Sequence, residues 1–417
     1  MRLDPYRRVL ALPGVARLLV AAVLVRIPLT ASGVILTLHV VTSMGRGYAA
    51  AGLVTGVATV AMGIGGPWRG RAVDRMGLRR SLVPSVVVAT AAWGLAPFAS
   101  YQRLLVLAAV GGLLGLPVFT VVRQSLSVLV PPAQRRTAFS LDGIGTELSF
   151  MVGPALGVLV ATRLSSGAAL LGLTLATLLA GLTLIVLNPP TRSATSSSEV
   201  AEVPADVPAE VSAAGGRWFT PTLAAVFAVS VGATIVLAGT DVAVVAHLRE
   251  HGAVQLTGLV FVAWGIGSMV GGVVYGTVRR QLSPFAMLLV LAVLTIPVGL
   301  APSPLLLLVT ILPAAALCAP LIAATAEGVS RLVPESARGE AMGWHGSAMQ
   351  AGSALGAPLA GISMDHSGAW AGFAAVGVAG AVVAATGLVV DRRRRAVPSG
   401  SGAELPAARA GRQSVTR

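Results

Sequence analysis

Twelve apolar stretches, each near the length that crosses a bilayer, fill most of this 417-residue chain, and arginines collect in every second gap between them. A hydrocarbon core of ~30 Å is crossed by about 20 apolar residues in a helix. Hydrocarbon supplies no hydrogen-bond partners, so each crossing segment must satisfy its own backbone, and helices are what these runs predict. The first half holds Val15–Val40, Ala49–Gly66, Leu82–Ser100, Leu104–Val122, Thr137–Ala161 and Ala168–Leu187. The second holds Phe219–His247, Val254–Val278, Pro284–Ala301, Pro304–Glu327, Gly339–Met364 and Ala369–Val390. With 55% hydrophobic and 11% charged residues, the chain has too little polar surface for a water-soluble globule. The expected fold class is an all-α membrane protein of 12 transmembrane helices.

The net charge of +14 would point to nucleic acid in a soluble protein. Here the basic residues sit in short loops beside apolar runs, where they report orientation instead, so no nucleic-acid partner is expected. Arg2, Arg7 and Arg8 precede the first run; Arg69, Arg71, Arg75, Arg79 and Arg80 follow the second; Arg135 and Arg136 follow the fourth; Arg279 and Arg280 follow the eighth. The alternate gaps hold single arginines at 46, 103, 163 and 249. The positive-inside rule then places both termini in the cytoplasm of a multi-pass protein of the cell membrane. The single cysteine, Cys318, excludes an internal disulfide and reads as an apolar filler.

After Asn188 the composition turns to Pro, Ser, Thr and acidic residues until about Gly216. This divides the chain into a six-helix bundle over 1–188, a cytoplasmic linker over 189–217, a second bundle over 218–391 and a basic tail over 392–417. The halves are related. A displacement of 203 positions sets Val130-Pro131 on Val333-Pro334, Ser127 on Ser330, Arg135 on Arg338, Asp142 on His345 and Glu147 on Gln350. Two related bundles around a midplane site are a transporter architecture.

Between the second and third runs stands Gly70-Arg71-Ala72-Val73-Asp74-Arg75-Met76-Gly77-Leu78-Arg79-Arg80. This G-x-x-x-D-R-x-G-x-R-R loop resembles the signature loop of the major facilitator superfamily, and with the span count and linker the resemblance covers residues 7 to 391. It implies a gating latch in which Asp74 meets the N-terminus of the eleventh span near Gly339-Glu340, with Arg136 or Arg338 as cation. The second-half counterpart, Gly276-Thr277-Val278-Arg279-Arg280, lacks the aspartate, so a one-sided latch is expected. Gly153-Pro154-Ala155-Leu156-Gly157 is similar to the fifth-helix signature of drug:proton antiporters. That implies export, with Pro154 as a bend and Gly153 and Gly157 as close-packing points.

Ionisable residues at bilayer depth are functional candidates by default. Arg26 and Glu147 each lie ~15 Å into their spans, and the resemblance makes these spans neighbours. Glu147 is then a proton carrier with Arg26 as its partner, or the two form a static bridge. Asp142 reads as a rim residue paired with Arg135, Arg136 or Arg123. Asp241 reads as an attractor of cationic substrates, as a second proton site or as a rim partner of Arg249. Trp264, Trp344, His345 and Gln350 are candidates for the wall of a substrate cavity.

His247-Leu248-Arg249-Glu250-His251 matches a zinc-protease pattern, but no downstream ligand accompanies it, and a solvated loop is expected with no metal. No P-loop lysine or dinucleotide fingerprint is present, so neither an enzyme nor a cofactor is expected. The expected function is export of a small amphipathic drug or metabolite by proton antiport, through a monomer whose partners are substrate, protons and lipid. The alternatives are proton-coupled uptake of a sugar or metabolite, and a transport-silent sensor with the same fold.

Overall fold

A computed structural model describes residues 4–192, 218–278 and 282–396. Most of the expected linker and tail, together with Arg2, Arg279 and Arg280, fall outside the described residues. The described chain is helical, with a short α1 (Asp4–Leu10) followed by helices that group into twelve crossing units. In the first half these are α2 (Val15–Leu38), α3 (Tyr48–Met76), α4 (Leu78–Leu95), the pair α5 (Tyr101–Leu113) and α6 (Val118–Leu129), α7 (Arg135–Arg163) and α8 (Ser166–Leu187). In the second they are α9 (Pro221–Glu250), α10 (Thr257–Thr277), α11 (Pro284–Thr295), the trio α12 (Pro304–Thr310), α13 (Leu312–Ala315) and α14 (Cys318–Leu332), α15 (Arg338–Ser367) and α16 (Ala369–Ala396). Ten units are long and apolar enough to cross a membrane; the ninth, extended by a 3-10 turn to Leu300, is shorter. The eleventh, α15, carries Arg338, Glu340, His345, Gln350 and Asp365 and is not among the ten.

Three local departures from the expected spans have physical causes. The signature loop is mostly helix: α3 runs to Met76, and Gly77 at φ +79° makes the whole turn into α4. A side chain rarely adopts that backbone geometry, so glycine is needed there. The fourth crossing breaks between Leu113 and Val118, where Pro117 has no N–H to continue the ladder. The tenth breaks twice, beside Pro313 and Pro320. By contrast, α7 runs unbroken through Pro154. The last helix continues through the arginines expected to open the tail, ending at Ala396.

Within the first half α2 packs on α7 and α8, and α3 on α5; within the second α9 packs on α15 and α16. The halves meet through α3 against α15 and α7 against α10 and α14. Glycine permits each approach. In α7, a Cβ on Gly153 would strike Thr30 and the Ile27 carbonyl, and one on Gly157 would press on Ile35, all of α2. Between halves, a Cβ on Gly70 would fall on the Gly339 carbonyl and one on Gly343 on that of Gly66. Those contacts lie toward the side that holds the helix ends beside Gly77 and Arg135, called here the arginine-rich side. Further along the same helices Gly52, Gly56, Gly258 and Gly361 meet nothing within 4 Å, so no such close approach occurs at these positions.

Candidate functional site

Three polar constellations lie along the seam between the halves. The first closes the arginine-rich side. Asp74, at the end of α3, accepts from Gly339 N at 3.0 Å, from Glu340 N at 2.8 Å and from Gln124 Nε2 at 2.7 Å. The first-turn N–H groups of α15 have no partner within their own helix, so the carboxylate satisfies them and meets the positive helix end. This is the docking position expected for Asp74. Of the expected cations, Arg338 lies near enough for its charge to act on Asp74, as does Arg192, while the side chain that bonds it is the neutral Gln124. Arg71 instead makes a bidentate pair with Glu340. Of the other motif residues, Arg79 donates to the Ile185 carbonyl at 3.1 Å, tying α4 to α8. Arg75 and Arg80 are exposed.

The latch is not one-sided. Thr137 donates to the Gly276 carbonyl at 2.8 Å, Ser140 to that of Gly272, and Tyr6 of α1 to Val273 at 2.6 Å. Glu327 of α14 holds Arg331 at 2.5 Å and Arg136 at 3.6 Å, the latter across the seam. At a displacement of 203 positions Glu327 is the counterpart of Gln124. The second half thus carries its seam anion on the tenth span, Thr277 standing on the eighth at the repeat position of Asp74. Replacing Asp74 by asparagine removes charge-assisted bonds and keeps the shape; such bonds exceed neutral ones by roughly 1–2 kcal/mol. The population open at the arginine-rich side is therefore expected to rise about ten-fold, read as a longer distance between spin labels at positions 75 and 336.

The second constellation lies inside the first bundle. Arg26 is 0% exposed and Asp142 2%. Arg26 Nη2 meets Asp142 Oδ1 at 2.6 Å, and Arg123 Nε meets Oδ2 at 3.4 Å. Both guanidiniums lie over the Phe119 ring, at 4.7 and 5.6 Å from its centroid. Two expectations are corrected here. Arg26 pairs with Asp142, not Glu147, because five residues turn the α7 side chain by about 140°. Asp142 is no rim residue of Arg135 or Arg136; of the three expected partners only Arg123 holds it. Arg123 also reaches across the seam to His345 Nδ1 at 3.3 Å, and His345 Nε2 meets Thr325 at 3.0 Å. A buried hydrogen-bonded chain thus joins Asp142 to its repeat counterpart His345.

The third constellation holds Glu147, on the face of α7 turned to the second half. Its Oε1 accepts from Ser268 Oγ at 2.9 Å and from Cys318 Sγ at 3.3 Å. Cys318 is therefore more than apolar filler. Asp241 forms no bridge to Arg249; it is exposed, yet near enough to Glu147 for their charges to interact. It thus faces the space between the halves. Among the described residues neither carboxylate forms an ion pair with a cation.

A cavity of about 290 Å³ opens within the first bundle, between α2, α3, α4 and the break in the fourth crossing. Gln350 reaches its wall from the second half, as do Phe119, Phe150 and Trp93 from the first. Of the other cavity candidates, His345 is buried in the relay just described, Trp264 packs against the cores of the second half, and Trp344 is 45% exposed on the surface. The His247–His251 stretch is helical through Glu250 instead of a solvated loop. Glu250 Oε1 accepts from Ala369 N at 2.8 Å, at the N-terminus of α16, and the two imidazoles stack at 4.4 Å. No group of three or more potential metal ligands occurs among the described residues.

Two helical halves that meet along a seam lined by ionisable groups define a polytopic membrane protein built of two bundles. The sequence profile of the Major Facilitator Superfamily matches residues 18–301 and 250–416, and the chain belongs to that family. No curated protein matches its sequence significantly. Solved structures share the fold at low identity. The human organic anion transporter MFSD10 (TETRAN) has a TM-score of 0.68 and 17% identity, covering 91% of this chain and 99% of its own. The proton:xylose symporter XylE gives 0.67 and 14%, covering 89% and 94%. A bacterial homologue of the iron transporter ferroportin, in an outward-facing state, gives 0.69 and 15%, covering 92% and 99%.

Proposed function

We propose that the chain exports a small amphipathic molecule in exchange for protons, with Glu147 as the proton carrier. The observation that carries this reading is the pair of carboxylates, Glu147 and Asp241, facing the space between the halves without a cation. Two like charges in so poor a dielectric disfavour each other, so one proton held between them lowers the energy of the site. Oε1 of Glu147 takes both donors of the second half, and Oε2 is the atom that takes the proton. Tilting the halves breaks the bonds to Ser268 and Cys318, so proton occupancy and conformation are linked. Arg26, paired with Asp142, has no part in this step.

The positive-inside rule makes the arginine-rich side cytoplasmic and the present state closed toward the cytoplasm. The orientation of transport rests on the Gly153-Pro154 signature in α7. Fold alone does not choose, since the structural neighbours include a symporter and carriers of different cargo. In proteoliposomes, Glu147→Gln is expected to abolish accumulation driven by a pH gradient while downhill exchange continues. Gradient-driven accumulation by the variant would refute the assignment, and everted vesicles that keep their pH gradient on substrate addition would refute antiport.

A further inference from the structure

Arg69 is 5% exposed, lines the cavity of the first bundle and has no carboxylate partner. Its three nitrogens donate only to backbone carbonyls: Nε to Gly65 at 3.2 Å, Nη2 to Met62 at 3.2 Å and Nη1 to Gly115, the residue in the break of the fourth crossing. Carbonyls orient a guanidinium but do not neutralise it. A buried cation without a counter-charge costs several kcal/mol in a membrane interior. The neighbouring cluster does not compensate, for Asp142 is one carboxylate shared between Arg26 and Arg123. Arg26 Nε is moreover buried without any acceptor. The described first bundle thus buries three guanidiniums, Arg26, Arg69 and Arg123, and two carboxylates, Asp74 and Asp142; of these five only Arg69 lines the cavity, and neither carboxylate pairs with it.

The rest of the wall suits the body of such a ligand. Trp93 packs on Gly111, four residues before the Gly115 carbonyl that holds Arg69, and the indole and the guanidinium both line the cavity. Phe119 forms the wall backed by Arg26 and Arg123. Thr55 and Thr59 add hydroxyls. We infer that this cavity takes an amphipathic organic monoanion, its acid group neutralising Arg69 and its apolar body lying between Trp93 and Phe119. The inference rests on the reading of the chain as a carrier of small amphipathic molecules, but not on proton coupling or direction.

The test is equilibrium binding of three isosteric probes to the full chain in lipid nanodiscs: 2-naphthoate, 2-naphthamide and 2-naphthylmethylammonium. The naphthoate is expected to bind at least about ten-fold more tightly than the amide, with the ammonium weakest. Arg69→Gln is expected to bring naphthoate and amide within about two-fold of each other with the amide's affinity kept, whereas Arg69→Lys keeps the order. Thr59→Glu, which leaves Arg69 and its carbonyl bonds in place, is expected to remove the preference by supplying a carboxylate in the same cavity. An equal or reversed order in the wild type, binding of none of the three, or a preference unchanged in both neutralising variants would overturn the inference. Each of those results leaves proton coupling standing, and failure of the Glu147→Gln experiment leaves the charge preference standing.

Discussion

Replacing Asp142 by alanine is expected to lower the unfolding free energy by about 3–5 kcal/mol, because it leaves two guanidiniums buried with no counter-charge. Arg26 is 0% exposed and Arg123 4%, and Asp142 holds one with each carboxylate oxygen. The Phe119 ring beneath both offers at most about 2 kcal/mol of cation–π attraction. Asparagine keeps the shape but not the charge and is expected to recover only a small part. The combined neutral set R26Q, R123Q and D142N is expected to be far more stable than D142A, since the desolvation penalty of the ions disappears with the ions. Denaturant titration in detergent micelles reads both. A loss under about 1 kcal/mol for D142A would show that water reaches the guanidiniums through the cavity.

A leucine at Gly70 is expected to prevent closure of the arginine-rich side altogether. Gly66 and Gly70 of α3 face Gly339 and Gly343 of α15, a small-xxx-small pair on both helices, so backbone meets backbone over a full turn. A side chain at 70 has no rotamer that escapes the Gly339 carbonyl, because the clash begins at Cβ. Overpacking a fixed interface costs roughly 1–3 kcal/mol or more, and here the halves can relieve it by tilting apart, at the loss of the Asp74 contacts. Spin labels at exposed positions, R75C with S336C in a C318A background, are expected to give one short distance in wild type. In G70L a longer distance should become the majority population. An unchanged distribution would mean that the helices accommodate the side chain without opening. Moving an equilibrium from 99:1 to 1:99 needs about 5.5 kcal/mol, more than Asp74→Asn alone supplies, so the two variants are graded.

The latch shows how far residue pattern reaches. The docking of Asp74 is legible only through the resemblance of its local motif to the family's signature loop; nothing in the residues alone joins position 74 to position 339. The second latch was hidden, since its anion sits on another helix. Yet aligning Gln124 with Glu327 in the repeat register marks an acid on the tenth span. The pairing of Arg26 is illegible in the sequence for a simpler reason. Depth along a helix follows from counting residues, but direction around it depends on helix phase and on which neighbour packs on that face. Asp142 and Glu147 lie only five residues apart, and they serve different halves of the molecule. Arg69 passed as a topological charge because nothing in its neighbours along the chain says that Gly115 will break the fourth crossing beside it.

Taken alone, the order of residues determined the solvent of this protein and the twelve apolar runs that become its crossing units. Those follow from hydrocarbon's intolerance of bare peptide groups and from patterns that act over a few turns. Only the tertiary structure decided which buried charge answers which, where an arginine goes unanswered, and which side of the seam is latched. Such choices depend on distances between residues more than a hundred positions apart, and in a low dielectric a few ångströms separate a neutralised pair from a lone buried charge.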